Sequence, residues 1–304
     1  MKSFERKREA VSILTIFSIT LVCLINPGFV NQLAGQKLTY TYPETIRLVA
    51  LVDDAAAAVT QRGEKAFSDF MRDGTKWRYG DRYTFAIDLD GNVMAHEDTA
   101  MVGKNMIDLK DPNGKPIIQW FIRKGLGFTQ SGWTHYLWVK PGDTVPSWKT
   151  TYVKLAKAPS GKIYVVGTGM YDMRMEKAFA IDAVNDATYL IRVEGKQAFD
   201  KLRDPTSEFV FKDTYIFVLD TAYNLLVNQP FHELEGQNLY DIQDATGKYF
   251  FREFVQVAEE DGSGWVFYKW PKPGETEPSN KCSFVKKIVS KGDTYVVGTG
   301  IYHD

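Results

Sequence analysis

The chain repeats itself. Val52-Asp53-Asp54-Ala55 returns 132 positions later as Val184-Asn185-Asp186-Ala187, and YVVGTGMY (Tyr164–Tyr171) returns as YVVGTGIY (Tyr295–Tyr302). Between these ends, Gly103, Asn105, Asp108 and Gly114 recur as Gly236, Asn238, Asp241 and Gly247. Trp133, Tyr136, Trp138 and Gly142 recur as Trp265, Tyr268, Trp270 and Gly274, and the shift stays between 131 and 133 throughout. A spacing held across glycines, aromatics and acids alike requires two copies of one folding unit. One copy spans about 43–173 and the other about 174–304, and the whole chain divides into a leader over 1–36, a first domain over 37–173 and a second over 174–304.

Each copy opens with a helical pattern. Glu44 to Arg72 carries apolar residues at helical spacing behind Pro43, and about Glu176 to Leu202 repeats it, stopping before Asp204-Pro205. The rest of each copy reads as strands broken by turns, at Asp90-Gly91, Asn113-Gly114 and Asp261-Gly262. Strands in succession, without a helix after each, predict an antiparallel sheet. The expected fold class is therefore α+β: per copy, a long N-terminal helix plus an antiparallel sheet of about five strands.

Lys2, Arg6, Lys7 and Arg8 precede a 16-residue apolar run, Ala10–Ile25, which Asn26-Pro27-Gly28 ends. That is the pattern of a signal peptide, or of an N-terminal membrane anchor over residues 10–33. Both readings put the remainder outside the cytoplasm, in a periplasmic or other extracytoplasmic space. A formal net charge of -1 argues against a nucleic-acid partner. Two cysteines and four scattered histidines offer neither a disulfide framework nor metal-ligand spacing, so no metal or cofactor is expected. Cys282 reads as a small buried apolar residue. Asp88 and Asp220, each before a turn, read as acceptors for turn amides. The Gly-Thr-Gly pairs at 167–169 and 298–300 do not precede a helix and read as close backbone packing. Ser263 sits in no nucleophile elbow, and nothing else assembles a catalytic set; the expectation is not an enzyme.

The stretch from Pro230 to Glu275, ending GWVFYKWPKPGE, together with KCSFVKK and TYVVGTGIY, resembles the second type of Cache domain. The resemblance covers residues 44–304 twice; the first copy is looser, with Val139 where the second has Pro271. It implies tandem PAS-like extracytoplasmic sensor modules that bind a small organic anion or amino acid. Such modules feed signal transduction or chemotaxis. With no second transmembrane segment or output domain in this stretch, a membrane receptor or sensor kinase is the expected partner. The alternative is a degenerate pair that regulates by protein interaction without its own ligand.

The candidate pocket in the second copy consists of Arg252, Tyr268, Trp270, Lys281 and Phe284. Tyr268 and Trp270 share a strand face, Trp265 takes the other, and Lys281 and Phe284 differ in parity, so one of them requires a bulge or edge position. Arg252 is the expected carboxylate anchor, because the matched position in the first copy is the uncharged Gln119. The first copy offers His96, Tyr136, Trp138, Lys149 and Tyr152. The competing reading makes the aromatics core and leaves Arg252, Lys281 and Lys286 solvated.

Overall fold

The computed structural model describes residues 38–303. The leader lies outside the described residues, and among them no helix is long and apolar enough to cross a membrane. The described chain belongs to one compact unit.

In the first copy, α1 (Pro43–Arg62) starts with proline in its first turn and buries Leu48, Val52, Ala55 and Val59 along one stripe. The expected helix to Arg72 is interrupted. Gly63 takes φ 61°, its N–H caps Val59 O, and the chain continues as a 3-10 turn and a short α2 (Phe67–Phe70). Six strands complete the copy: β1 (Arg78–Tyr79), β2 (Arg82–Asp88), β3 (Val93–Ala95), β4 (Ser131–Val139), β5 (Pro146–Lys157) and β6 (Ile163–Tyr171). They form an antiparallel sheet of order β1-β2-β6-β5-β4, with β3 on β2.

The second copy repeats this with α4 (Lys177–Glu194), α5 (Ala198–Arg203), β7 (Val210–Phe211), β8 (Thr214–Asp220), β9 (Leu225–Asn228), β10 (Ser263–Pro271), β11 (Pro278–Ser290) and β12 (Asp293–Tyr302). Its sheet runs β10-β11-β12-β8-β7, with β9 on β8. Gly195, at φ 68°, ends α4 as Gly63 ends α1.

One element departs from the sequence expectation. Each copy holds a further helix between β3 and β4 or β9 and β10: α3 (Ile117–Leu126) and α6 (Phe250–Asp261). Their apolar residues, Ile117, Ile118, Trp120 and Phe121 in one and Phe250, Phe251, Phe254 and Val255 in the other, fall at helical spacing. These helices cover the sheet face that α1 and α4 leave open. In the first copy Ala86, Tyr152 and Val166 pack toward α1, and Phe85, Val153 and Val165 toward α3. In the second, Cys282, Phe284 and Val297 pack toward α4, and Phe217, Val285 and Val296 toward α6. Both faces are buried, so no bulge is needed to bury both Lys281 and Phe284: they point to opposite, equally covered sides. Cys282 is buried, as its apolar neighbours required.

The copies meet where α4 crosses the outer strand of the first sheet. Phe179 lies 4.7 Å from the Trp133 ring, and His135 stacks on Phe211 at 3.9 Å. Lys124 of α3 pairs with Asp182 at 2.8 Å and with Asp186, while Arg123 pairs with Glu208. A Cβ on Gly132 would stand 2.6 Å from Lys124 Cδ, so the glycine makes room for this lysine.

Candidate functional site

Strand register sets three residues in a row on one sheet face of each copy. Tyr136, Lys149 and Tyr171 are partners across β4, β5 and β6, and Tyr268, Lys281 and Tyr302 across β10, β11 and β12. Each lysine is 1% exposed. Lys149 Nζ lies 3.7 Å from the Tyr83 ring centre and 4.8 Å from that of Tyr171, whose hydroxyl is 3.5 Å away. Lys281 Nζ donates to Tyr215 Oη at 2.8 Å and Tyr302 Oη at 3.1 Å. Tyr171 Oη donates to Val139 O at 3.0 Å and Tyr302 Oη to Pro271 O at 2.5 Å. Each of these tyrosines has its proton engaged and turns a lone pair to the ammonium.

Among the described residues, hydrogen bonds and ring contacts to these ammonium groups come from tyrosines alone. A buried cation without an anion is costly. Burial accordingly pushes Lys149 down to about 7, against the opposing pull of Glu97 and Asp81. It pushes Lys281 to about 7 against Asp213.

The copies differ beside the cage. In the first, a cavity of about 30 Å³ is lined by Tyr83, His96, Ile117, Phe121, Tyr136 and Trp138, among others. That is room for about two waters. No acidic side chain lines it. His96 accepts the Asp98 N–H at Nδ1, which leaves the proton on Nε2, and burial lowers its pKa to about 4. The ring is a neutral donor edge-on to Tyr83, 4.7 Å away. In the second copy most of these positions keep their residue types, and a change to a larger side chain comes at Ile117. Phe250 replaces Ile117 and stacks on Tyr268 at 4.3 Å, and Trp270 packs against Phe250 and Phe231 at 5.1 and 5.8 Å.

The structure brings His96, Tyr136 and Trp138 together around the cavity and puts Lys149 against its Tyr83 wall. It likewise gathers Tyr268, Trp270 and Lys281. It separates the other two candidates. Phe284 faces α4 and packs on Trp265 at 5.4 Å, on the sheet face away from Lys281. Arg252 lies on the outer face of α6: Nε donates to Tyr240 O at 2.7 Å, a terminal nitrogen pairs with Asp241 at 2.7 Å, and the guanidinium lies 3.8 Å from the Tyr240 and Tyr249 rings. It is not in the cage because α6 turns its aromatic face, not this one, to the sheet. Tyr152 faces α1 beside Trp133, and Lys286 donates to Asn185.

Four cage tyrosines, Tyr83, Tyr171, Tyr215 and Tyr302, were missed, although two of them close the repeated GTGxY motif. Its glycines serve packing. A Cβ on Gly167 would stand 2.6 Å from Phe85 Cζ, and one on Gly169 would stand 2.8 Å from Lys149 Cε. Asp88 and Asp220 hold their turns, Oδ1 accepting the amides of Asn92 and Asn224 at 2.8 and 2.9 Å.

The profile of the Cache domain family matches residues 60–188 and again 173–304. Methyl-accepting chemotaxis protein McpP of Pseudomonas putida is 33% identical over 92 residues, 30% of this chain and 16% of that protein. Sensor histidine kinase MctS of Rhizobium johnstonii is 36% identical over 93 residues, 31% of this chain and 20% of that protein. The matched stretch thus spans a fifth or less of these curated relatives. A solved Cache chemosensory domain, described for carboxylic acid recognition, is 26% identical with a TM-score of 0.37, covering 41% of this chain and 91% of that one. The chain belongs to the Cache domain family, which it carries in two tandem copies.

Proposed function

We propose that the protein is an extracytoplasmic binding module that takes a short monocarboxylate in its first copy and passes the signal to a membrane partner. The observation that carries this reading is Lys149, a buried ammonium with no carboxylate beside it. A bound carboxylate supplies the missing charge, and such a contact contributes about 1.5–3 kcal/mol. The ligand's apolar end takes the cavity between Ile117 and Trp138, and His96 Nε2–H offers a second donor. An amino acid fits less well, because no acid lines the cavity to receive its ammonium group. A ligand larger than two waters displaces the Tyr83 ring, which flanks both the cavity and the lysine.

The reading is one of binding, and it invokes no cofactor or metal. In the second copy Phe250, in place of Ile117, stacks on Tyr268 at 4.3 Å and takes up the matched space, so the ligand is assigned to the first copy. Calorimetric titration with acetate, propionate and alanine, on the wild type and on Ile117→Phe, tests this. The wild type should bind the simple acids more tightly than alanine, and Ile117→Phe, which installs the second copy's residue, should abolish binding while the protein stays folded. Equal affinity in the variant would remove the first copy as the site.

A further inference from the structure

Beside Tyr302, on the second copy, lies a cleft of about 350 Å³. That volume is in the range of small-molecule sites, ~300–1,000 Å³. Lys212, Lys269, Lys272 and His303 line it, with Asp213 as the one acidic side chain among its described lining residues and Asn280 among its polar groups. Among the described residues neither Lys269 nor Lys272 forms an ion pair; Lys272 Nζ lies 6.0 Å from the Tyr302 ring centre. Lys212 Nζ donates to Met173 O at 2.6 Å, which leaves it further donors.

The first copy holds different residues in the matched region. Matched backbone contacts fix the comparison: Asp172 N donates to Trp148 O at 2.8 Å, and His303 N to Asn280 O at 3.1 Å. Leu137 N and Lys269 N likewise donate to Asp111 and Asp244, at 2.9 and 2.8 Å. In the first copy Leu137 stands where the second has Lys269, and Trp148 where it has Asn280. Lys140, the counterpart of Lys272, is neutralised by Asp172 at 2.9 Å; the second copy replaces that acid by His303. In the first copy Asp172 and Asp81 both act on Lys140, whereas in the second copy three lysines face one aspartate among the described residues.

Lys212 also differs from its counterpart. Its φ is 49°, and the first copy has Gly80 there at φ 62°. The second copy thus sets a cation in the cleft wall where the first has glycine.

We propose that this cleft binds a small polyanion carrying two or more acidic groups, a polycarboxylate or a phosphate. Three lysines exceed what one carboxylate can neutralise, and each anionic group gains a charge-assisted contact. Tyr302, which lines the cleft, also accepts a hydrogen bond from Lys281, so occupancy reaches the buried cage of the second copy. The site is separate from the carboxylate site of the first copy.

Calorimetric titration of the full chain with citrate and with inorganic phosphate, at low and high salt, tests the assignment. At least one probe should bind, more weakly as salt rises. The double variant Lys212→Gly/Lys269→Leu carries the first copy's residues and should fold, and it should weaken that probe about tenfold or more. Lys149→Met should leave it unchanged. Tighter citrate binding assigns a polycarboxylate, tighter phosphate binding a phosphate. Binding of neither probe, or binding that the double variant retains, overturns the proposal. Loss in Lys149→Met alone would move the probe to the first copy, which overturns this cleft without touching the other site.

Discussion

The Cβ that Gly169 lacks would stand 2.8 Å from Cε of Lys149, and a Cβ on Gly300 would overlap Cε of Lys281 in the same way. The repeated Gly-Thr-Gly thus holds open, on the central strand of each sheet, the space that a lysine stem needs to lie flat against its neighbour. Gly169→Ala and Gly300→Ala should each cost about 1–3 kcal/mol by overpacking. Urea unfolding measures this; unaltered midpoints in both would mean the lysine stems are loosely held.

The two lysines set a pH dependence. Their folded pKa is about 7 against an ordinary 10.5. The unfolded chain therefore binds more protons between these values, and stability without ligand rises as pH rises through that window. The burial penalty is fully present below about pH 7. Unfolding at pH 7 and 9 should show the rise in the wild type, and Lys149→Met/Lys281→Met should flatten it. A carboxylate binds the charged lysine, so its affinity should fall above about pH 7, by up to about tenfold per pH unit.

The junction between copies rests on Lys124. Burial alone would lower its pKa, but Asp182 and Asp186 hold it well above the ordinary lysine value. Lys124→Met leaves Asp182 buried without its partner and should cost about 3–5 kcal/mol. Adding Asp182→Asn should recover much of that, measured by thermal unfolding. Equal loss in the single and double variants would mean that the lysine acts through packing alone.

Arg252 is a strap on the outside of α6. Its pair with Asp241 is exposed, and such pairs contribute about 0–1 kcal/mol. Arg252→Ala should lower stability by no more than about that amount plus some stacking on Tyr240 and Tyr249. It should leave carboxylate affinity unchanged in calorimetry. A tenfold loss would return Arg252 to the binding machinery.

Arg252 also shows where sequence reasoning stops. Its difference in charge from Gln119 pointed to a ligand, yet both side chains do one job: Gln119 Nε2 donates to Ile107 O at 3.2 Å and Arg252 Nε to Tyr240 O at 2.7 Å. A repeat discloses which positions correspond, not which face of a helix they occupy. The same spacing disclosed the two sheets and put Tyr136, Trp138 and Lys149 in one neighbourhood, because strand alternation fixes side-chain direction locally. The burial of Lys149 and Lys281 was not legible. A lysine on a strand normally reaches water, and these do not because α3 and α6 cover that face. Those helices were themselves hidden, since Ile117-Ile118 and Phe250-Phe251 also suit strands.

The central claim is that Lys149 is a buried cation awaiting an anion, and Lys149→Met tests it by two readings with opposite signs. Replacing an uncompensated buried charge by an apolar side chain of similar length should raise the unfolding midpoint of the free protein. The same change should reduce acetate or propionate affinity about tenfold to a hundredfold. A variant that loses stability while keeping its carboxylate affinity would contradict the account.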